Sequence, residues 1–144
     1  MAERKIIPYI DWAERNIILD TKKPIKFQPH QKKILGHALK VGPDGRLPYS
    51  TVLYSAIKKS GKTAIGATVG LWFAYELEPG SEIICAANDL EQSSGRTFKE
   101  IKKMIDRNPM LKGRVASMTA KEIILYDGYG REQGCDAWKR DPYP

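Results

Sequence analysis

Residues 51–77 place two almost wholly apolar segments on either side of a short polar break, and no other stretch constrains the chain as strongly. The first segment, TVLYSAI over 51–57, is rich in β-branched and aromatic residues and is bounded by Pro48 and by Lys58–Gly61. A continuous run of that kind reads as a strand buried on both faces, the environment of a parallel sheet. The second, KTAIGATVGLWFAYEL over 62–77, is apolar nearly all round, which predicts a largely buried helix.

The same alternation continues downstream. EIICAA over 82–87 predicts a second buried strand. Asn88 can cap a third helix, with Glu91 placed as in a capping box; Phe98, Ile101, Met104 and Ile105 form its buried face, and Asn108-Pro109 stops it. Strand, helix, strand, helix predicts an α/β fold, a parallel sheet flanked by helices. Before this unit, residues 8–19 predict a short amphipathic helix through Ile10, Trp12, Ala13 and Ile17. A second helix is expected from Pro29, with Ile34, Leu35, Ala38 and Leu39 as its apolar stripe. Gly42–Pro48 is a loop by composition. After the unit, 114–118 and 122–127 predict short strands, with Asp127-Gly128 as a hairpin turn signal. The stretch REQGCDAWKRDPYP has no periodicity.

Composition narrows the function classes. The 144 residues are of single-domain length, and Lys+Arg 24 against Asp+Glu 17 gives a formal charge of +7, which favours polyanions such as nucleic acid or phosphate ligands. No apolar run approaches the ~20 residues that span a bilayer. The opening MAERKIIPYIDWAERN has no signal-peptide core, and Cys85 and Cys135 make no metal-ligand spacing. A soluble, reduced, intracellular protein is expected, without membrane partners.

The chemistry is carried by Ala56-Ile57-Lys58-Lys59-Ser60-Gly61-Lys62-Thr63, which matches the phosphate-binding pattern G-x-x-x-x-G-K-[ST] except for Ala56 in place of the first glycine. A loop that opens a helix turns backbone N–H groups and the positive end of the helix dipole toward one point. Gly61 lets the backbone approach a phosphate, Lys62 can reach the β/γ-phosphates, and Thr63 can ligate Mg²⁺. Lys58 and Lys59 are either solvated loop charges or further cations for a triphosphate.

With these residues in view, the chain resembles the N-terminal ATPase region of tailed-bacteriophage terminase large subunits, the ATP-driven motors of viral DNA packaging. FQPHQKKIL (27–35), YSAIKKSGKTAIGATVGL (54–71) and EPGSEIICAANDLEQSSGRTFKEI (78–101) carry the resemblance, which covers residues 24–127. It implies a P-loop NTPase-like fold, incomplete, with a β-hairpin near the C-terminus. The implied organisation is an N-terminal helical segment (1–23), a partial ATPase domain (24–130) and an irregular tail (131–144).

ATP and Mg²⁺ are the implied cofactors. The implied catalytic residues are Lys62 and Lys58, the latter where the family usually has arginine. Nucleotide would be held by Lys58, Lys59, Ser60, Gly61, Lys62 and Thr63, with Mg²⁺ on Thr63. Phe27 and Gln31 match the family's adenine-gripping element; from the residues alone, Phe27 is equally a core anchor and Gln31 a helix-surface amide. Implied partners are double-stranded DNA, the portal and the small terminase subunit, in the cytoplasm of a bacterial host.

Hydrolysis also needs an apolar strand ending Asp-Glu, to hold Mg²⁺ and orient water. IILYD ends at Asp127 but is followed by Gly128, which suits a hairpin turn, and Glu132 has no apolar strand before it. The expectation is a truncated fragment with little turnover by itself. The alternatives are a helicase-type P-loop ATPase, which also places a glutamine element before its loop, and a non-enzymatic remnant. His30 and His37 are surface or packing histidines, or less simply a metal pair.

Overall fold

A computed structural model describes residues 5–77, 82–86, 96–126 and 132–133 of the chain. Helix α1 spans Tyr9–Asn16, α2 Pro29–Ala38, α3 Lys62–Trp72, α4 Thr97–Arg107 and α5 Pro109–Lys112; α3 continues into a π-helical turn, Phe73–Leu77. Strands β1 (Val115–Met118), β2 (Ile123–Tyr126) and β3 (Glu132–Gln133) follow in a sheet of order β1-β2-β3, antiparallel throughout.

Local chemistry explains the helix ends. In α1, Asp11 in the first turn and Arg15 in the last complement the helix dipole. Pro29 opens α2, and the Gln31 side-chain oxygen accepts the Gln28 N–H at 2.9 Å, as in a capping box. Asn108 ends α4 and starts α5: its side chain accepts the Met110 N–H at 2.9 Å and donates to the Asn16 carbonyl at 2.6 Å. That one buried amide thereby ties the α4–α5 corner to the end of α1.

The core lies where α1, α3 and α4 meet. Tyr9, Trp12 and Ala13 of α1 pack with Ile65, Ala67, Leu71 and Trp72 of α3 and Ile101, Met104 and Ile105 of α4; Leu35, Ala38 and Leu39 of the α2 region join them. The Tyr9 ring sits 5.6 Å from both Phe27 and Trp72. The Thr68 hydroxyl donates to the Ile65 carbonyl at 2.8 Å, so its contact with Tyr9 Oη at 2.6 Å is donated by the phenol. The N-terminal segment is clasped to α3 as well: Trp72 Nε1 donates to the Ile7 carbonyl at 2.9 Å, and the Ile7 N–H donates to Glu76 Oε1 at 3.0 Å.

The parallel α/β, P-loop NTPase-like sheet expected from the sequence is not formed. Among the described residues there is no parallel pairing, and neither 51–57 nor 82–86 is a strand. Both segments instead run beside the helical core with one side bare. Tyr54 and Cys85 pack partly against the core, and Ile83 lies next to α3 at Gly70. Leu53, by contrast, is 94% exposed, Ile57 83% and Ile84 76%. The physical reason is that apolar content states a need for burial, whereas a strand also needs a neighbour for its N–H and C=O groups. Neither segment finds that neighbour in the other.

A direct consequence is measurable. Leu53→Ala is expected to shift stability by less than ~0.5 kcal/mol, as exposed substitutions do. Leu35→Ala, which empties a buried site, is expected to cost about 2–5 kcal/mol. Urea unfolding midpoints of the two variants decide it; equal losses would restore the buried-strand reading.

The β-structure forms elsewhere, near the strands expected at 114–118 and 122–127. β1 and β2 pair Val115 with Leu125 and Met118 with Ile123, with an irregularity between Val115 and Ser117. The turn reading of Asp127-Gly128, the cap reading of Asn88 and Glu91, Cys135 and the rest of the tail outside Glu132–Gln133 lie outside the described residues; those two residues form β3 against β2. No helix among the described residues is long and apolar enough to cross a membrane.

Candidate phosphate-binding loop

The loop between 56 and 62 turns through two left-handed residues, Lys59 at φ +64 and Gly61 at φ +82. Gly61 adopts that conformation freely, and a β-carbon there would meet no atom within 4 Å, so the space above it is open. Lys59 is a non-glycine residue in the same region, which carries a strain of about 1 kcal/mol or more. The outcome is a tight reversal that delivers the chain into α3 at Lys62.

Gly61 is the N-cap of α3 and no side chain caps the helix. The first backbone bond of the helix is the Ile65 N–H to the Gly61 carbonyl at 2.9 Å. The N–H groups of Lys62, Thr63 and Ala64 therefore have no intrahelical acceptor and are left for solvent or a ligand, with the positive end of the helix dipole behind them. Lys62 folds back over the loop, its Nζ donating to the Ala56 carbonyl at 2.5 Å. The ammonium thus closes the loop on itself. Ser60 Oγ is buried and has no hydrogen-bond partner among the described residues. A buried unpaired hydroxyl is a cost that an incoming acceptor or donor relieves.

Of the residues singled out from the sequence, the fold brings Ala56, Lys58, Lys59, Ser60, Gly61, Lys62 and Thr63 together. Lys58, Lys59, Lys62 and Thr63 are all exposed. It does not bring Phe27 and Gln31 to them as a free adenine grip. Phe27 is buried against Tyr9, and the Gln31 oxygen is committed to the start of α2. Two features were not legible beforehand: the left-handed backbone at Lys59 and the orphaned hydroxyl of Ser60. A lysine followed by Ser-Gly signals a turn, but not which residue takes positive φ.

No protein-family model, no curated protein and no solved structure matches the chain.

For a metal the described donors are sparse. Thr63 offers one hydroxyl oxygen, and no group of three or more His, Cys, Asp or Glu able to hold a metal is found among the described residues. Mg²⁺ takes about six oxygens, commonly from waters and substrate phosphates, so these residues fit the ion only as part of a nucleotide complex. The triphosphate itself fits: uncapped N–H groups, an open glycine, an unpaired hydroxyl and three lysines converge on one loop.

Proposed function

We propose that the loop 56–63 binds the phosphates of a nucleoside triphosphate, taken as its Mg²⁺ complex. The observation that carries this is Lys62 folded over its own loop onto the Ala56 carbonyl, at the uncapped start of α3. That contact holds the ammonium at the mouth of the loop, where a phosphate oxygen is a stronger acceptor than a neutral carbonyl. Ser60 Oγ supplies a further hydrogen bond, Lys58 and Lys59 supply charge, and Thr63 would face the metal of the nucleotide complex.

The wider reading rests on the stretches 27–35, 54–71 and 78–101. It is a nucleotide-binding part of a DNA-packaging terminase, with ATP as the nucleotide and double-stranded DNA, the portal and the small subunit as the motor's partners. What supports it is the motif resemblance, together with a loop geometry suited to phosphate.

Hydrogen bonds to charged groups contribute ~1.5–3 kcal/mol, so Lys62→Met is expected to weaken ATP binding about 10- to 100-fold. Isothermal titration with ATP, with adenosine as a control lacking phosphates, measures it. Lys62 is exposed, so the variant keeps the thermal transition of the parent. Unchanged ATP affinity in Lys62→Met, or no ATP binding by the parent chain, would sink the proposal.

A further inference from the structure

We infer that the outward face of α2 is a contact surface for the phosphate backbone of a nucleic acid, separate from the loop that opens α3. The first observation is an imbalance of charge along the chain. Residues 21–75 hold ten Lys or Arg and one acid, Asp44. That acid is engaged in its own turn, where Oδ1 accepts the Arg46 N–H at 3.1 Å. This stretch alone therefore exceeds the +7 of the whole chain.

The second observation is where the fold puts that charge. On α2, Leu35 and Ala38 are buried, while His30, Lys33 and His37 are exposed. The spacing 30, 33, 37 keeps those three on one side of a helix, opposite the buried pair. Lys40, just past the helix end, is exposed as well and extends the row to about 15 Å at helical rise. No acid lies on α2, and Lys33 and Lys40 have no ion-pair or hydrogen-bond partner among the described residues. The neighbouring Lys32 differs: it turns to α1 and pairs with Glu14 at 3.3 Å.

The contrast with α4 shows that this is not the general condition of the surface. α4 mixes its lysines with Glu100 and Asp106, and Arg107 pairs with Asp20 and with Glu100. At the end of the α2 row an aromatic side chain is added: Tyr49 Oη lies 3.0 Å from His37 Nε2 and the ring is exposed.

These features select among polyanions. A row of about 15 Å is longer than one nucleotide and suits successive phosphates of a strand. A membrane-surface helix needs a free apolar face; on α2 Leu35 and Ala38 are spent on the core, and Ile34, 51% exposed, is a single apolar side chain rather than a face. A side chain able to stack or to hydrogen-bond, beside lysines and histidines, suits the sugar–phosphate edge of a nucleic acid.

The test uses the full chain, a fluorescein-labelled mixed-sequence DNA duplex of ~20 base pairs, and anisotropy across a salt series. Lys33→Glu/Lys40→Glu is compared with Lys99→Glu/Lys103→Glu, two exposed lysines on α4 that make the same change in net charge. The α2 pair is expected to lose affinity at least ~10-fold and to flatten the log K against log salt slope by about 2. The α4 pair is expected to change affinity less than ~3-fold, because its lysines are interspersed with Glu100 and Asp106. Equal losses in the two pairs, no duplex binding by the parent, or sensitivity seen only with anionic lipid vesicles would each overturn the inference. ATP titration of the same variants separates this surface from the loop: the α2 inference stands or falls whether or not ATP binds.

Discussion

Trp72→Ala is expected to remove most of the folding stability of this chain. Trp72 is the largest fully buried side chain among the described residues, with edge contacts to Tyr9 at 5.6 Å and Phe73 at 5.5 Å. Truncating a buried tryptophan costs about 3–5 kcal/mol in transfer and cavity terms. The Ile7 carbonyl also loses the indole N–H that it accepts at 2.9 Å, which adds on the order of 1 kcal/mol. Against a typical domain stability of 5–15 kcal/mol, roughly, the sum leaves little. Trp72→Phe separates the two contributions, since it keeps most of the volume and loses only the hydrogen bond; it is expected to cost about 1–2 kcal/mol. Urea unfolding followed by far-ultraviolet circular dichroism measures both variants. A loss below ~1.5 kcal/mol for Trp72→Ala would mean that α3 does not dock on the N-terminal segment in this way.

Base is expected to unfold the protein across pH ~10 to ~12 through two buried phenols. Burial pushes Tyr9 up to about 12. Burial likewise pushes Tyr75 up to about 12, opposed by the Arg114 guanidinium, which lies 5.0 Å over its ring. Tyr75 Oη donates to the Leu111 carbonyl at 2.8 Å, a bond the phenolate cannot make. Both folded-state values lie above the ordinary phenol value of 10.0, so the neutral forms are favoured by folding. Their contribution is complete below pH ~10 and disappears as the pH rises through ~12. At about 1.4 kcal/mol per unit, each phenol accounts for up to ~2.7 kcal/mol over that window. Urea midpoints between pH 8 and 12, roughly, with tyrosinate absorbance in parallel, follow the loss. Tyr9→Phe should make the decline shallower. Titration of all seven tyrosines at the ordinary value without unfolding would contradict the buried placement of Tyr9 and Tyr75.

Particular residues show how far the sequence could be read. The apolar stripes of α1 and α2 carried enough signal to locate both helices, because a helix makes its own hydrogen bonds and its period appears in the residues themselves. Pro29 and Asn108-Pro109 marked ends for equally local reasons. The segments 51–57 and 82–86 were misread because their apolar content was taken as evidence of pairing. Ladder partners are distant in sequence, and no local pattern states whether they are present. Within the loop, the turn at Gly61 and the helix start at Lys62 were legible. The roles given to Phe27 and Gln31 were not separable from a core anchor and a helix-surface amide; in the structure Phe27 packs against Tyr9, and the Gln31 oxygen accepts the Gln28 N–H at the start of α2.

The row on α2 illustrates the same division in reverse. His30 and His37 were visible as a helical pair, yet nothing in the order of residues says that Lys32 turns to Glu14 while Lys33 and Lys40 stay unpaired. By itself the sequence determined the helices, the turn that opens α3 and an excess of positive charge, all of which depend on neighbours within a few residues. Tertiary structure alone decided that Tyr9, Trp72 and Thr68 close one core, that two apolar segments lie with one side bare, and which lysines are left without partners. Those outcomes depend on contacts between residues far apart in sequence, such as Ile7 with Trp72, 65 positions away, and such contacts leave no periodic trace along the chain.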